Sequence, residues 1–245
     1  MFDEIFFPVD IKPITKNGKP TKKTKVFRTD THEIISMLSD KYTLIRNIDL
    51  HNAIKDIFGD VVVNSFFSDG YKFRWDYVIP TTTREVFPGD NVSLMISVYN
   101  SYDGSRKLRI NANIMRLICS NNMRVGKSIY EDSFLHKSTD SNKIIKSIKG
   151  NLICHNEYFD SSIHILQGMK ERLLTMEVKA ELIKRLTSFP SYVMVDLLTK
   201  IVNPENKNLY DIYNVITSYT THDLDIKNSN REDVAEDLNK MIISI

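Results

Sequence analysis

The stretch NNMRVGKS, Asn121 to Ser128, ends like a phosphate-binding loop, with Gly126, Lys127 and Ser128 in the order G-K-[ST]. Asn121 stands where such a loop has its first glycine. A phosphate loop follows a buried parallel strand and opens a helix, so that backbone N–H groups and the helix dipole face the phosphates. Here the preceding segment reads as an antiparallel hairpin, and SIYEDSF downstream is a poor helix start. No hydrophobic strand ending in Asp follows to hold magnesium. The expectation is that Gly126-Lys127-Ser128 falls there by chance.

Zinc is the next chemistry to weigh. Cys154, His155 and His164 lie close together, and Cys119 offers a further thiol. Structural zinc sites use paired ligands at C-x₂₋₄-C or H-x₃₋₅-H spacing. Adjacent Cys154 and His155 do not point readily at one metal from a helix. A packed cysteine with surface or capping histidines is the expectation, with no metal or other cofactor. Cys119 as a nucleophile would need a positioned base. No G-x-S-x-G, H-E-x-x-H or comparable signature is present, so the chain is not expected to be an enzyme. Asn214 and Thr217 share a helix face, with Thr221 and His222 beyond them. This polar stripe suits either a site or a helix anchor, and the anchor is favoured.

Nucleic-acid binding has the broadest support in the residues. Arg106, Lys107 and Arg109 lie at one hairpin, and Arg116, Arg124 and Lys127 lie at or beyond the end of its last strand. Lys72 and Arg74 alternate with Tyr71, Phe73 and Trp75. Single-strand binders pair a basic groove for phosphates with aromatic platforms for bases. The alternation here puts the aromatics on one face and the bases on the other. Phosphate contact by Lys72 and Arg74 is therefore expected more than stacking on Trp75.

The charge is unevenly spread along the 245 residues, although the net charge is only +2. Residues 11–28 hold seven basic and no acidic side chains, and residues 101–150 hold ten basic against four acidic. From Asp211 onward there are seven acidic and three basic residues. A basic N-terminal half suits a polyanion-binding surface. The first basic run, KNGKPTKKTK, has the composition of a flexible segment. Two cysteines are too few for a disulfide framework, and MFDEIFFPVD does not read as a signal peptide. No apolar run is long enough to span a membrane. A cytosolic location is expected.

These residues need elements to hold them. Ile34, Ile35 and Leu38 fit one short helical segment. Leu50, Ala53, Ile54, Ile57 and Phe58 recur at helical spacing before a capping Gly59. DVVVNSFFSDGYKFRWDYVIP reads as two strands joined at Asp69-Gly70, with Tyr71, Phe73, Trp75 and Tyr77 on one face. NVSLMISVY and KLRINANIMRLI form a second hairpin around Asp103-Gly104. After about residue 140 the pattern is helical, interrupted at Pro190 and Pro204. The fold class is α+β: an antiparallel sheet of two hairpins over about 60–118, a short helical segment before it and a mostly helical C-terminal half. Residues 1–25 are expected as a basic, partly flexible segment, and 26–245 as one domain.

Three segments carry a resemblance to a known family. FRTDTHEIISMLSDKYTLIRN resembles R-x-D-T-x₃-L-x₆-Y-x₄-N. SYDGSRKLRI followed by RLICSNNM resembles S-x-D-G-S … R-x-x-C-x-N-x-M, and LYDIYNVITSYTTHD resembles W-x-x-Y-N-A-x-T-x₄-H. In this order they are similar to the phage- and plasmid-borne domain of unknown function 932. Asn122 stands where the family pattern usually has Gly, and Tyr210 where it has Trp. The resemblance implies a turn at CSNNM rather than a phosphate loop. It also implies a mobile-element, intracellular setting near replication and recombination, and no assigned activity.

Single-strand annealing proteins share a core of bent antiparallel sheet and packed helices. By that fold-level analogy the expected function is single-stranded-DNA binding or annealing in recombination or replication of a mobile element. Lys72, Arg74, Arg106, Lys107, Arg109, Arg116, Arg124 and Lys127 are the expected phosphate contacts. The alternative is a non-enzymatic interaction module, such as a host-defence inhibitor or an assembly factor. Candidate partners are single-stranded DNA, further copies of the chain, and a host or phage protein; no membrane is expected.

Overall fold

The structure is a computed structural model that describes residues 2–117, 122–123, 130–137, 140–153, 155–220 and 231–245. The chain divides into two compact units. Unit 1 holds residues 1–81, 95–112 and 130–155; unit 2 holds 82–94, 113–129 and 156–245.

Unit 1 opens with helix α1 (Phe2–Ile5) and a three-stranded sheet, β1 (Val9–Lys16), β2 (Lys19–Arg28) and β3 (Ile34–Ser39), in that order. Helix α2 (Asn47–Phe58) leads to strands β4 (Val62–Ser68) and β5 (Lys72–Phe87). Strands β6 (Asp90–Ser101), β7 (Leu108–Arg116), β8 (Asn122–Met123) and β9 (Tyr130–Phe134) follow. The second sheet has the order β4-β5-β6-β7-β8, with β9 also paired to β7. Strands β5, β6 and β7 contribute residues to both units. Helix α3 (Ser141–Ile153) closes unit 1, and α4 (His155–Glu171), α5 (Met176–Leu186), α6 (Ser191–Ile201), α7 (Leu209–Ser218) and α8 (Arg231–Ile243) follow. The chain is thus α+β, with two sheets and a mostly helical C-terminal half.

The β4–β5 hairpin turns at Asp69-Gly70, as the sequence implies. The Asp69 carboxylate accepts from the backbone N–H groups of Tyr71 and Lys72, which is how a short acidic side chain fixes a turn. Phe73, Trp75 and Tyr77 are fully buried. Phe6 meets Trp75 edge-on at 5.6 Å, and Phe73 lies 4.8 Å from Tyr102. Tyr71, expected on the same buried face, is exposed, because it sits at the turn ahead of β5. Leu50, Ala53 and Ile54 bury the inner stripe of α2. The helix ends at Gly59, whose φ of 73° suits a residue without Cβ and whose N–H reaches the Lys55 carbonyl.

Two expectations are corrected. Ile34, Ile35 and Leu38 form a strand, not a short helix. Their backbone pairs with β2, from Ile34↔Phe27 to Ser39↔Lys23, and that ladder outweighs a six-residue helix with no cap. The basic segment is also strand: β1 and β2 pair around Asn17-Gly18, both at positive φ. Thr24, Val26 and Phe27 are buried there, while Lys19, Lys22 and Lys23 are exposed and Lys25 is half-buried.

Candidate nucleic-acid interface

The turn after β6 builds a basic groove in unit 1. Ser101 Oγ donates to the Arg106 carbonyl and accepts from the Arg106 N–H. Asp103 Oδ1 accepts from both the N–H and the hydroxyl of Ser105. Gly104 sits at φ 71°, and a Cβ there would lie 3.5 Å from Leu38 and 3.6 Å from Tyr42. This knot holds Arg106 and Lys107 exposed on one wall of a groove of about 470 Å³. Lys41 and Lys137 line it with them, and Leu38, Leu135, Tyr42 and His136 complete it.

The far wall is tied together by ring stacking and hydrogen bonds. Tyr42 stacks on His136 at 5.2 Å and 13°, and its hydroxyl donates to the Ser101 carbonyl. Thr43 N–H donates to the His136 carbonyl, while His136 Nδ1 lies 3.1 Å from the Thr43 carbonyl. Burial lowers the His136 pKa, partly offset by that carbonyl contact, so the ring is held neutral and adds no charge. Burial raises the Tyr42 pKa. The groove's charge comes from Lys41, Arg106, Lys107 and Lys137, against the one carboxylate of Asp103.

A second cluster lies on the β5–β7 part of unit 1. Arg74 sits 5.4 Å and Arg109 4.3 Å from the Tyr99 ring centre. Arg74 also pairs with buried Asp76 at 3.2 Å, and Asp76 accepts from Ser65 Oγ at 2.5 Å. The guanidinium groups are thereby oriented, and Lys72 stands two residues before Arg74 on the same face.

Arg116 belongs to another arrangement, in unit 2. Its Nε and Nη2 donate to the two oxygens of Asp90 at 2.7 and 2.8 Å. The Tyr210 hydroxyl donates to the same carboxylate at 2.8 Å. Asp90 and Tyr210 are buried, and burial, then the Asp90 hydrogen bond, raises the Tyr210 pKa. Lys170 lies over the rings of Phe87 and Tyr210. Thr217 is fully buried, its hydroxyl donating to the Asn214 carbonyl.

The structure therefore brings Arg106 and Lys107 together at the groove and Arg74 and Arg109 together at Tyr99, and gives Arg116 to Asp90. Arg124, Lys127, Gly126, Cys119, Cys154, Thr221 and His222 lie outside the described residues, as do the side chain of His155 and most of the CSNNM turn. Among the described residues no three His, Cys, Asp or Glu side chains gather as metal ligands. Sequence reasoning missed Lys41 and Lys137, which flank the groove from two distant segments. It also missed Asp90, which no local pattern ties to Arg116.

Residues 34–242 match the domain of unknown function (DUF932). The chain belongs to the DUF932 family. No curated protein and no solved structure matches it. Among the described residues, those that carry the DUF932 resemblance do mainly architectural work. Arg28 donates to both oxygens of Asp30 and drives that carboxyl down to about 2. Asn47 Nδ2 reaches the Ile5 carbonyl, and its Oδ1 accepts from Asn100. Ser101, Asp103, Gly104 and Ser105 shape the groove turn, and Tyr42 supports its wall. Arg116 and Tyr210 meet at Asp90. In this DUF932 chain Tyr at 210 has a specific use, because its hydroxyl supplies a donor to a buried carboxylate.

Proposed function

We propose that this DUF932 protein binds single-stranded DNA through phosphates and promotes strand annealing in recombination or replication of a mobile element, in the cytosol. The observation that carries the reading is the groove: four cationic side chains around about 470 Å³ with a single carboxylate already spent on its own turn. Cations of this kind displace the counterions condensed on a phosphate chain, which drives binding without reading sequence. Gripping the backbone leaves the bases free to pair with a second strand. No metal, nucleotide or covalent step is required. The test is titration of labelled single-stranded DNA at several salt concentrations, followed by the pairing rate of complementary strands. Absence of binding at the lowest salt sinks the reading.

A second reading, docking of a partner protein, is favoured by α6. Tyr192 and Val195 on α6 and Val202 at its C-cap are each more than half exposed, and they lie along one side of that helix. Under this reading single-stranded DNA does not bind.

A further inference from the structure

Among the aromatic residues of the β4–β5 hairpin, Phe73, Trp75 and Tyr77 are fully buried, while Phe67 is 51% exposed. A lone exposed phenylalanine is ordinary. This one differs in what stands around it. Phe67 is the cross-strand partner of Arg74, and directly opposed residues project from the same face of a sheet. Val62↔Val78 and Ser65↔Asp76 continue that face, and Phe66↔Trp75 and Ser68↔Phe73 belong to the other. Lys72, two residues before Arg74, is on the Phe67 face, about 7 Å along the strand. Arg74 is fixed by Asp76 and by the Tyr99 ring while keeping its side chain 37% exposed. The hairpin end is anchored beside the groove turn, because Tyr102 N–H donates to the Tyr71 carbonyl at 2.8 Å. An exposed aromatic side chain thus stands opposite an oriented arginine in the register, on the face that also carries Lys72, at the end of unit 1 that carries the basic groove.

We propose that Phe67 is a stacking platform for one unpaired base of single-stranded DNA, with Lys72 and Arg74 holding the adjoining phosphates. The inference rests on the DNA-binding reading above and adds to it the class of group recognised: a flat base rather than phosphate alone. A base offers a π face whatever its identity, so the contact adds affinity without sequence preference. Phe67 also has no charge to screen, so its contribution persists at salt concentrations that weaken the groove.

The experiment compares a labelled oligothymidine with an abasic chain of equal length, titrated into the whole protein. Phe67→Ala is expected to weaken oligothymidine binding about 5- to 150-fold, the equivalent of about 1–3 kcal/mol for one base–aromatic stack. Binding of the abasic chain is expected to stay at the parent level, and the salt slope of both is expected to be unchanged. Phe67→Thr, whose branched side chain suits a strand, is expected to behave as Phe67→Ala, and Phe67→Tyr to retain the parent affinity. If the parent binds and Phe67→Ala and Phe67→Thr bind oligothymidine equally well, the platform is refuted while the DNA-binding reading stands. Equal losses on both chains also refute it. If the parent binds neither chain, the DNA-binding reading itself falls and the platform falls with it.

Discussion

Asp90 offers the sharpest test of how unit 2 is held together. Its side chain is 9% exposed and its partner Arg116 is 17% exposed, so the pair is largely withdrawn from water. The carboxylate accepts two hydrogen bonds from the Arg116 guanidinium and one from the Tyr210 hydroxyl. Asp90→Asn keeps the shape but removes the charge, turns an acceptor into a donor and strands a guanidinium. Breaking one side of a buried pair costs about 3–5 kcal/mol, mostly the penalty of the charge left behind. Tyr210→Phe leaves the pair intact and removes one hydrogen bond to a charged group, about 1.5–3 kcal/mol. Asp90→Asn combined with Arg116→Met removes both charges, and such replacements are often close to neutral. The order of cost is therefore the single Asp90 variant, then Tyr210→Phe, with the double variant well below the sum of its parts. Hydrogen exchange of the α7 amides reads this within unit 2. A loss of about 3 kcal/mol quickens exchange through local opening roughly 150-fold. The reasoning is refuted if Asp90→Asn leaves α7 exchange within a few-fold of the parent, or if the double variant costs as much as the two singles added.

Three further outcomes follow from the same geometry. Changing Lys41, Arg106, Lys107 and Lys137 together to Ala should flatten the salt dependence of single-stranded-DNA binding by about 2.8 in log–log slope, at about 0.7 for each phosphate released; an unchanged slope removes the groove from the proposal. His51 and His136 both titrate below the ordinary 6.5, chiefly because burial disfavours the imidazolium, so their contribution to stability is complete above that value and is lost as pH falls through their folded values. Urea denaturation followed by Trp75 should show unit 1 weakening as pH drops below about 6.5, and His51→Gln with His136→Gln should weaken less steeply; parallel pH curves for parent and variant contradict this. Gly59→Ala forces a Cβ onto a φ of 73° and should cost about 1–3 kcal/mol by the same denaturation assay, whereas a gain in stability would mean the cap relaxes freely.

How far the sequence discloses this molecule depends on the range of each interaction. Asp69-Gly70 and Asp103-Gly104 mark their turns because the turn chemistry is complete within a few residues. Gly59 marks the end of α2 for the same reason. The basic segment is misjudged when composition is weighed alone, although Asn17-Gly18 between Thr15↔Pro20 and Lys16↔Lys19 is a local hairpin signal of the same kind. Ile34, Ile35 and Leu38 satisfy a short helical spacing as readily as a strand. What decides is the neighbouring edge of β2, which no window around residue 35 contains. Sites are harder still. Asp90 and Arg116 are 26 residues apart and Tyr210 is 120 from Asp90, so the hub exists only once strands and helix are in place. The aromatic at the proposed DNA surface shows the limit most plainly. Period-two alternation separates Phe73, Trp75 and Tyr77 from Lys72 and Arg74 correctly, but it speaks of one strand at a time. Phe67 joins the basic face only through the register that sets it opposite Arg74, and that register includes a shift between Val63 and Ser65. Counted from Val62 without the bulge, Phe67 would fall on the wrong side of the sheet, since a slip of one residue exchanges the two faces; counted back from the turn it falls on the right one. The pairs from Ser65↔Asp76 to Ser68↔Phe73 run without a break to the Asp69-Gly70 turn, and Asn64 is the one residue of β4 left unpaired, so removing Asn64 should leave Phe67 opposite Arg74. A deletion of Asn64 that folds and no longer binds oligothymidine in preference to the abasic chain would show that the base is held elsewhere.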